Sequence, residues 1–229
     1  MGVQEKPHGK TLRVLVADDH AIIRCGLKQI LQDTPDIRVE AEARNGIEVM
    51  QLLRLASPDV VVMDISMPER NGLDTLKLIR KEYPQLPVIM LSMFDESLYA
   101  VRSLRAGAAA YLRKHTAADE LINAIRVVSR GKRYLGPEVA EQLANAVLEE
   151  EAGEGALHEK LSDREYQTLC LIASGHTLTE IASHMKLSVK TVSVYRARIL
   201  EKMKLRTNAE LTYYGVKYGL VAGGQIAPV

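Results

Sequence analysis

Asp59-Val60-Val61-Val62-Met63-Asp64-Ile65-Ser66-Met67-Pro68 is the stretch that decides the fold. Val60 to Met63 run apolar without interruption, with β-branched residues dominating and an acid at each end. A strand reads this way when both of its faces are covered, as in a parallel sheet flanked by helices. Outward from it, short apolar runs recur at Leu12 to Ala17, Ile37 to Ala43, Val88 to Leu91 and Ala110 to Leu112. Amphipathic stretches lie between them. In the first, Ile23, Leu27, Ile30 and Leu31 fall at i, i+4, i+7 and i+8, one face of a helix. Further helices fit Val49, Met50 and Leu53, then Leu73 to Glu82, Ser97 to Ala106 and Asp119 to Arg130. Strands alternating with helices in this way predict an α/β doubly wound, five-stranded parallel sheet.

The chain has 229 residues, 47% hydrophobic and 26% charged, enough for two small cores and too apolar for a disordered chain. No run approaches the roughly 18 apolar residues of a membrane span. The polar start, Met1 to Lys10, predicts neither signal peptide nor anchor, so the expectation is a cytoplasmic protein with no membrane partner. Cys25 and Cys170 stand alone, which excludes a disulfide framework and a cysteine metal site. The net charge of +1 hides an asymmetry: residues 138–156 carry six Glu and no base. That acidic stretch reads as a linker. The expected organisation is a flexible N-terminus (1–11), the sheet domain (12–134), a linker (135–157), an all-α domain (158–222) and a flexible tail (223–229). Within the linker, Gly136-Pro137 opens a helix over Glu138 to Glu151, and Ala152 to Ala156, with its two glycines, makes the hinge.

Ligands of open parallel sheets gather at the carboxyl ends of the strands. There the sequence places Asp18 and Asp19, Asp64, Ser92 and Lys114. Three carboxylates in one shallow cleft repel each other unless a cation intervenes, and a hard ion such as Mg²⁺ with oxygen ligands answers that need. The cation, the Lys114 ammonium and the Ser92 hydroxyl together suit three phosphoryl oxygens. There is no glycine-rich phosphate loop. A bound nucleotide is therefore not expected, and the nucleophile is a carboxylate of the protein, best placed at Asp64. His20 reads as structural, a neighbour of the helix start.

These residues carry a resemblance. Asp18-Asp19, Asp64 with Ile65-Ser66-Met67-Pro68, Asn71-Gly72, Ser92 and Tyr111-Leu112-Arg113-Lys114 resemble the receiver domain of two-component response regulators, a flavodoxin-like fold, over about residues 11–134. The resemblance implies that Asp64 accepts a phosphoryl group from a histidine kinase, or by Mg²⁺-dependent self-phosphorylation from a small acyl phosphate, and loses it by slow self-dephosphorylation; no further enzyme activity is expected. It also implies that Asp18, Asp19, Asp64 and the backbone carbonyl of Ser66 hold Mg²⁺, and that Ser92, Tyr111 and Lys114 bind the phosphoryl group and switch the surface. His115 stands where many receivers have proline. Phosphatases of the haloacid-dehalogenase type also phosphorylate an aspartate, but they need a second carboxylate two residues on. Here that position is Ser66, which gives no general acid, so the mark persists as a signal rather than turning over.

The C-terminal part reads as all-helical. Ser162 or Asp163 caps a helix that Gly175 stops; a short helix spans Thr179 to Met185; Leu187-Ser188 turns; and a longer helix runs Val189 to Met203. Short helix, tight turn and longer helix make a helix-turn-helix. Val192, Ile199 and Met203 share the core-facing arc, while Lys190, Ser193, Val194, Ala197, Arg198 and Glu201 face outward. Val194 and Ala197 suit thymine methyls, and Lys190 and Ser193 suit base edges. Arg198, Lys202, Lys204 and Arg206 reach for phosphates. Arg196 lies nearer the core and is expected to pair with Glu165. A last helix spans Asn208 to Leu220 and carries Tyr213, Tyr214 and Tyr218.

Leu161-Ser162-Asp163-Arg164-Glu165, Gly175, Glu180-Ile181-Ala182, Leu187-Ser188, Thr191-Val192, Arg196, Ile199 and Lys202 resemble the LuxR-type helix-turn-helix of NarL/FixJ response regulators, over about residues 158–222. The resemblance implies binding of double-stranded operator DNA as a homodimer, with Thr191 and Tyr195 among the contacts and RNA polymerase as a further partner. Tyr195 stands where many members have histidine. Two rivals remain on this reading: a receiver whose helical domain docks a protein instead of DNA, and a regulator that works unphosphorylated.

Overall fold

The computed structural model describes residues 11–92, 97–116, 118–141, 143–144 and 157–221. The expected flexible termini, the hinge at Ala152 to Ala156 and most of the linker helix lie outside these residues. What is described of that helix, 137–141 and 143–144, is helical from Pro137 on.

The strands are β1 (Leu12–Ala17), β2 (Ile37–Ala43), β3 (Val60–Asp64), β4 (Val88–Ser92) and β5 (Ala110–Arg113). They form one sheet in the order β2-β1-β3-β4-β5, and the registered pairs are parallel. The helices between them are α1 (Ala21–Gln32), α2 (Gly46–Leu55), α3 (Gly72–Glu82), α4 (Ser97–Arg105) and α5 (Ala118–Val128). Every residue of β3 and β4 is buried, as an unbroken apolar run requires. The edge strand β2 instead alternates, with Arg38, Glu40 and Glu42 exposed.

Period-two alternation divides the sheet's side chains. Val14, Val16, Val60, Val62, Ile89, Leu91, Ala110 and Leu112 share one core with Leu31 of α1 and with Leu121, Ala124, Ile125 and Val128 of α5. Burying each such branched side chain contributes about 1.5–3 kcal/mol, which fixes the register. The intervening Leu15, Val61, Met63 and Met90 are also fully buried. This rigid sheet sets the strand ends that carry the site.

By contact density the chain separates into two units, residues 1–91 with 107–134, and residues 92–106 with 135–229. Beyond α4 and the described part of the linker helix, the described residues of the second unit form a 3₁₀ turn (Leu157–Lys160) and helices α6 (Asp163–Ala173), α7 (Leu178–His184), α8 (Val189–Met203) and α9 (Asn208–Lys217). Helix α6 is buried along almost its whole length and packs against α8 and α9. Within the same unit, Arg102 of α4 donates to the carbonyls of His158 (2.6 Å) and Leu161 (3.2 Å). It also pairs with Asp163 Oδ1 at 3.2 Å and lies over the Tyr166 ring at 3.8 Å.

The helix starts follow simple capping chemistry. Ser162, Thr177 and Thr207 each form a reciprocal capping box with the glutamate three residues on, and Ser188 caps α8. Helix α9 stops at Lys217 rather than Leu220, because Gly219 turns left-handed (φ 62°) and Leu220 N–H bonds back to the Gly215 carbonyl. Among the described residues no helix is long and apolar enough to cross a membrane.

Candidate functional site: an acidic pocket and a recognition helix

The carboxyl end of β1 supplies Asp18, whose N–H bonds the Ala43 carbonyl at the end of β2. The last residue of β3 is Asp64, in register with Leu91 of β4. A Cβ at Gly72 would overlap the Asp64 carbonyl oxygen, so only glycine lets α3 begin this close to the strand end. Asn71 caps that helix, accepting from the Asp74 amide at 2.7 Å. Lys114, just beyond β5, reaches back into the pocket. Its ammonium lies 2.6 Å from Asp18 Oδ2 and 2.8 Å from Asp64 Oδ2, all three side chains being at most 2% exposed.

The electrostatics are unbalanced. Ligand atoms of Asp18, Asp19, His20 and Asp64 lie within 4.8 Å of one another, and Lys114 is one cation against three acids. Burial pushes the Asp64 carboxyl above its ordinary value, and the Asp18 charge pushes the same way, while Lys114 pulls it down. The carboxylates of this set are hard oxygen donors with net negative charge, and they fit a divalent ion such as Mg²⁺. Asp18, Asp19 and Asp64 supply carboxylate oxygens for it. Ser92 ends β4, buried, and Tyr111 of β5 is buried as well.

Two residues of this edge gave a different or no signal in the sequence. His20, read as structural, turns its Nδ1 to 2.9 Å from Asp19 Oδ1 and 3.2 Å from Asp18 Oδ1, and makes no side-chain cap bond. Arg24 is the other. Its guanidinium donates to the Asp18 carbonyl at 2.7 Å. The available signal was a cation in the first turn of a helix, where the dipole disfavours one.

In the second unit, Val192, Ile199 and Met203 are buried as the arc predicts. Lys190, Ser193, Val194, Ala197 and Arg198 are exposed along one face of α8, and Thr191 and Tyr195 are half-buried beside it. Thr191 shares the cap, its Oγ1 lying 2.8 Å from Ser188 Oγ. Lys186 and Lys204 adopt left-handed backbone (φ 53° and 56°), closing the turn before α8 and ending the helix itself.

The expected pairing of Arg196 with Glu165 is not formed. Lys202 takes that role, with Nζ 2.6 Å from Glu165 Oε2, while Arg196 donates through Nε to Asn208 Oδ1. The reason is helical phase. Lys202 lies one turn beyond Arg198 on the flank that meets α6, where Glu165 is buried. Burial pushes the Glu165 carboxyl up, but Lys202 and the Ser162 amide outweigh it and hold it below its ordinary range. Lys202, Lys204 and Arg206 are all exposed, but Lys202 is tied to the fold through its ion pair with the buried Glu165.

Residues 14–126 match the response regulator receiver domain, and residues 159–214 match the luxR family of bacterial regulatory proteins. Response regulator GacA of Pseudomonas aeruginosa is 35% identical over 210 residues, covering 92% of this chain and 98% of that protein. Response regulator UvrY of Escherichia coli is 36% identical, covering 91% and 95%. Among solved structures, RcsB from Salmonella enterica serovar Typhimurium, bound to a promoter in the presence of the phosphomimetic BeF3−, is similar with a TM-score of 0.60 at 25% identity, covering 90% of this chain and 98% of that one. A LuxR-family two-component response regulator from Aurantimonas is 31% identical with a TM-score of 0.57, covering 61% and 99%. Receiver domains bind Mg²⁺ in an acidic pocket, and regulators with this pair of domains partner with histidine kinases and bind DNA. On the strength of both domain matches and of relatives aligned over nearly their whole length, this chain belongs to the response regulators of the NarL/FixJ type, transcription regulators with a receiver domain and a LuxR-type helix-turn-helix.

Proposed function

We propose that Asp64 is the phosphoryl acceptor through which a partner histidine kinase controls operator binding by α8. The observation that carries this reading is Lys114, whose buried ammonium touches Asp18 and Asp64 together and leaves the pocket short of positive charge. An Oδ of Asp64 attacks the phosphorus of a phosphohistidine. The O–P bond forms as the P–N bond breaks, and the leaving imidazole takes a proton from solvent. With a small acyl phosphate the broken bond is P–O and a carboxylate leaves. Mg²⁺, when bound by Asp18, Asp19, Asp64 and the Ser66 carbonyl, supplies charge against the phosphoryl oxygens. Lys114 holds one of those oxygens, Ser92 moves to hydrogen-bond another, and the Tyr111 ring follows into the space behind it. Two residues beyond Asp64 stands Ser66, which supplies no general acid for hydrolysis, so the acyl phosphate persists and decays slowly.

The output follows from the exposed face of α8. Lys190, Thr191, Ser193, Val194 and Ala197 read base edges, while Tyr195, Arg198 and Lys204 meet phosphates. Lys202 belongs among the phosphate contacts only if it leaves Glu165. A phosphorylated homodimer then spans two half-sites of a roughly palindromic operator in the bacterial cytoplasm, next to RNA polymerase. Duplex binding by the full chain, measured with and without acetyl phosphate and Mg²⁺, tests this. Wild-type affinity rises on treatment and Asp64→Asn does not respond. An equal response from Asp64→Asn would contradict the assignment.

A further inference from the structure

Among the helices whose N-cap is described, α1 breaks the capping pattern. Among the described residues, Asn45, Asn71, Ser162, Thr177, Ser188 and Thr207 each begin a helix and accept a hydrogen bond from a first-turn amide. The corresponding residue of α1, His20, accepts none, and the first turn holds no acid. It carries Arg24 instead, a cation at the positive end of the helix dipole, and that side chain is only 11% exposed. Local rules are broken in this way where a site needs something else.

The geometry shows what Arg24 does there. Its Nη1 donates to the Asp18 carbonyl at 2.7 Å, one peptide before Asp19. Its Nε faces Glu42 Oε2 on β2 at 3.6 Å, and Lys28 pairs with the other Glu42 oxygen at 2.8 Å. Lys28, with Arg24 behind it, holds the Glu42 carboxyl below its ordinary range, so Glu42 stays charged. The chain of contacts runs Lys28, Glu42, Arg24, Asp18 carbonyl. It ties the turn bearing both acids to the edge strand, and also to the register pair Val16 with Glu42. Planar guanidinium, rather than a point charge, suits a bond to one side and an ion pair to the other.

We propose that Arg24 is a positioning residue for the cation site: by pinning the Asp18 carbonyl from α1, with Glu42 and Lys28 bracing it, it aims the Asp18 and Asp19 carboxylates at one point. The proposal rests on the reading of that pocket as a Mg²⁺ site. Mg²⁺ affinity of the full chain, measured by titration calorimetry, tests it through the sign of the change. Positioning predicts that Arg24→Gln and Arg24→Lys both weaken Mg²⁺ binding, by about tenfold, the usual scale for groups that orient ligands. Glu42→Gln weakens it less and in the same direction. A role as a mere nearby charge predicts the opposite: Arg24→Gln would bind Mg²⁺ more tightly and Arg24→Lys would match wild type, and either result overturns the proposal. Unfolding curves in EDTA show whether each variant is folded. Should both Arg24 variants unfold, Glu42→Gln decides alone, and wild-type affinity there overturns the proposal. A wild-type chain that binds no Mg²⁺ at all would instead remove the reading of the pocket itself.

Discussion

Asp64 combines burial with a like charge at Asp18, and both push its carboxyl above the ordinary value. A group whose folded pKa is raised favours folding when protonated, so its contribution is present below the unfolded value of 3.8 and lost as pH rises through the folded value. At neutral pH the charge is therefore a cost to the fold. Asp64→Asn keeps the shape and removes it, so its Tm in EDTA at neutral pH rises by a few degrees, and the gain fades as pH approaches 4. A lower Tm than wild type would contradict this. The opposite pH logic holds at His158, which burial, aided by Arg102, lowers from 6.5 to about 4. Between those values the unfolded chain binds a proton that the folded chain does not, so stability falls as pH drops from 6.5 towards 4. The largest loss is about 3 kcal/mol, at roughly 1.4 kcal/mol per pKa unit. His158→Gln flattens that dependence; an unaltered pH profile of Tm would show that the imidazole titrates normally.

Helices and strands were largely legible in the sequence, because an unbroken apolar run such as Val60 to Met63 has few other uses and because capping residues announce helix starts. The turn before α8 was legible only as Leu187-Ser188, since the left-handed residue that makes it is Lys186, not a glycine. The acidic pocket was legible as strand-end residues in order. Arg24 was not, because a contact to a backbone carbonyl leaves no mark in side-chain spacing. Helical phase puts Arg196 and Lys202 on different flanks of α8, but which flank meets Glu165 depends on how α8 packs against α6, which the sequence does not show. The two lysines at the end of α8 now part company. Lys202→Ala leaves Glu165 buried without its cation and destabilises the fold by about 2 kcal/mol in denaturant unfolding. Lys204→Ala leaves stability unchanged and lowers the slope of log affinity against log salt by about one per half-site. If Lys202→Ala unfolds like wild type and alone flattens the salt slope, the lysine serves DNA and not the fold.

At the scale of the whole molecule, one chain carries a phosphoryl chemistry and a DNA-reading surface, and neither explains the other without a covalent signal. An unphosphorylated regulator and a protein-docking output both predict that duplex affinity ignores the state of the pocket. A phosphorylation-driven dimer predicts that treatment with acetyl phosphate and Mg²⁺ steepens the salt dependence of operator binding, because two helix-turn-helix units then touch phosphates together. Equal slopes before and after treatment would favour the rivals. The most direct test lies at the acceptor. After acetyl phosphate treatment with Mg²⁺, borohydride reduction turns an aspartyl phosphate into homoserine, and peptide mass mapping finds the position. Reduction is expected at residue 64 alone, abolished by EDTA; reduction at another acid, or none, would overturn Asp64 as the acceptor.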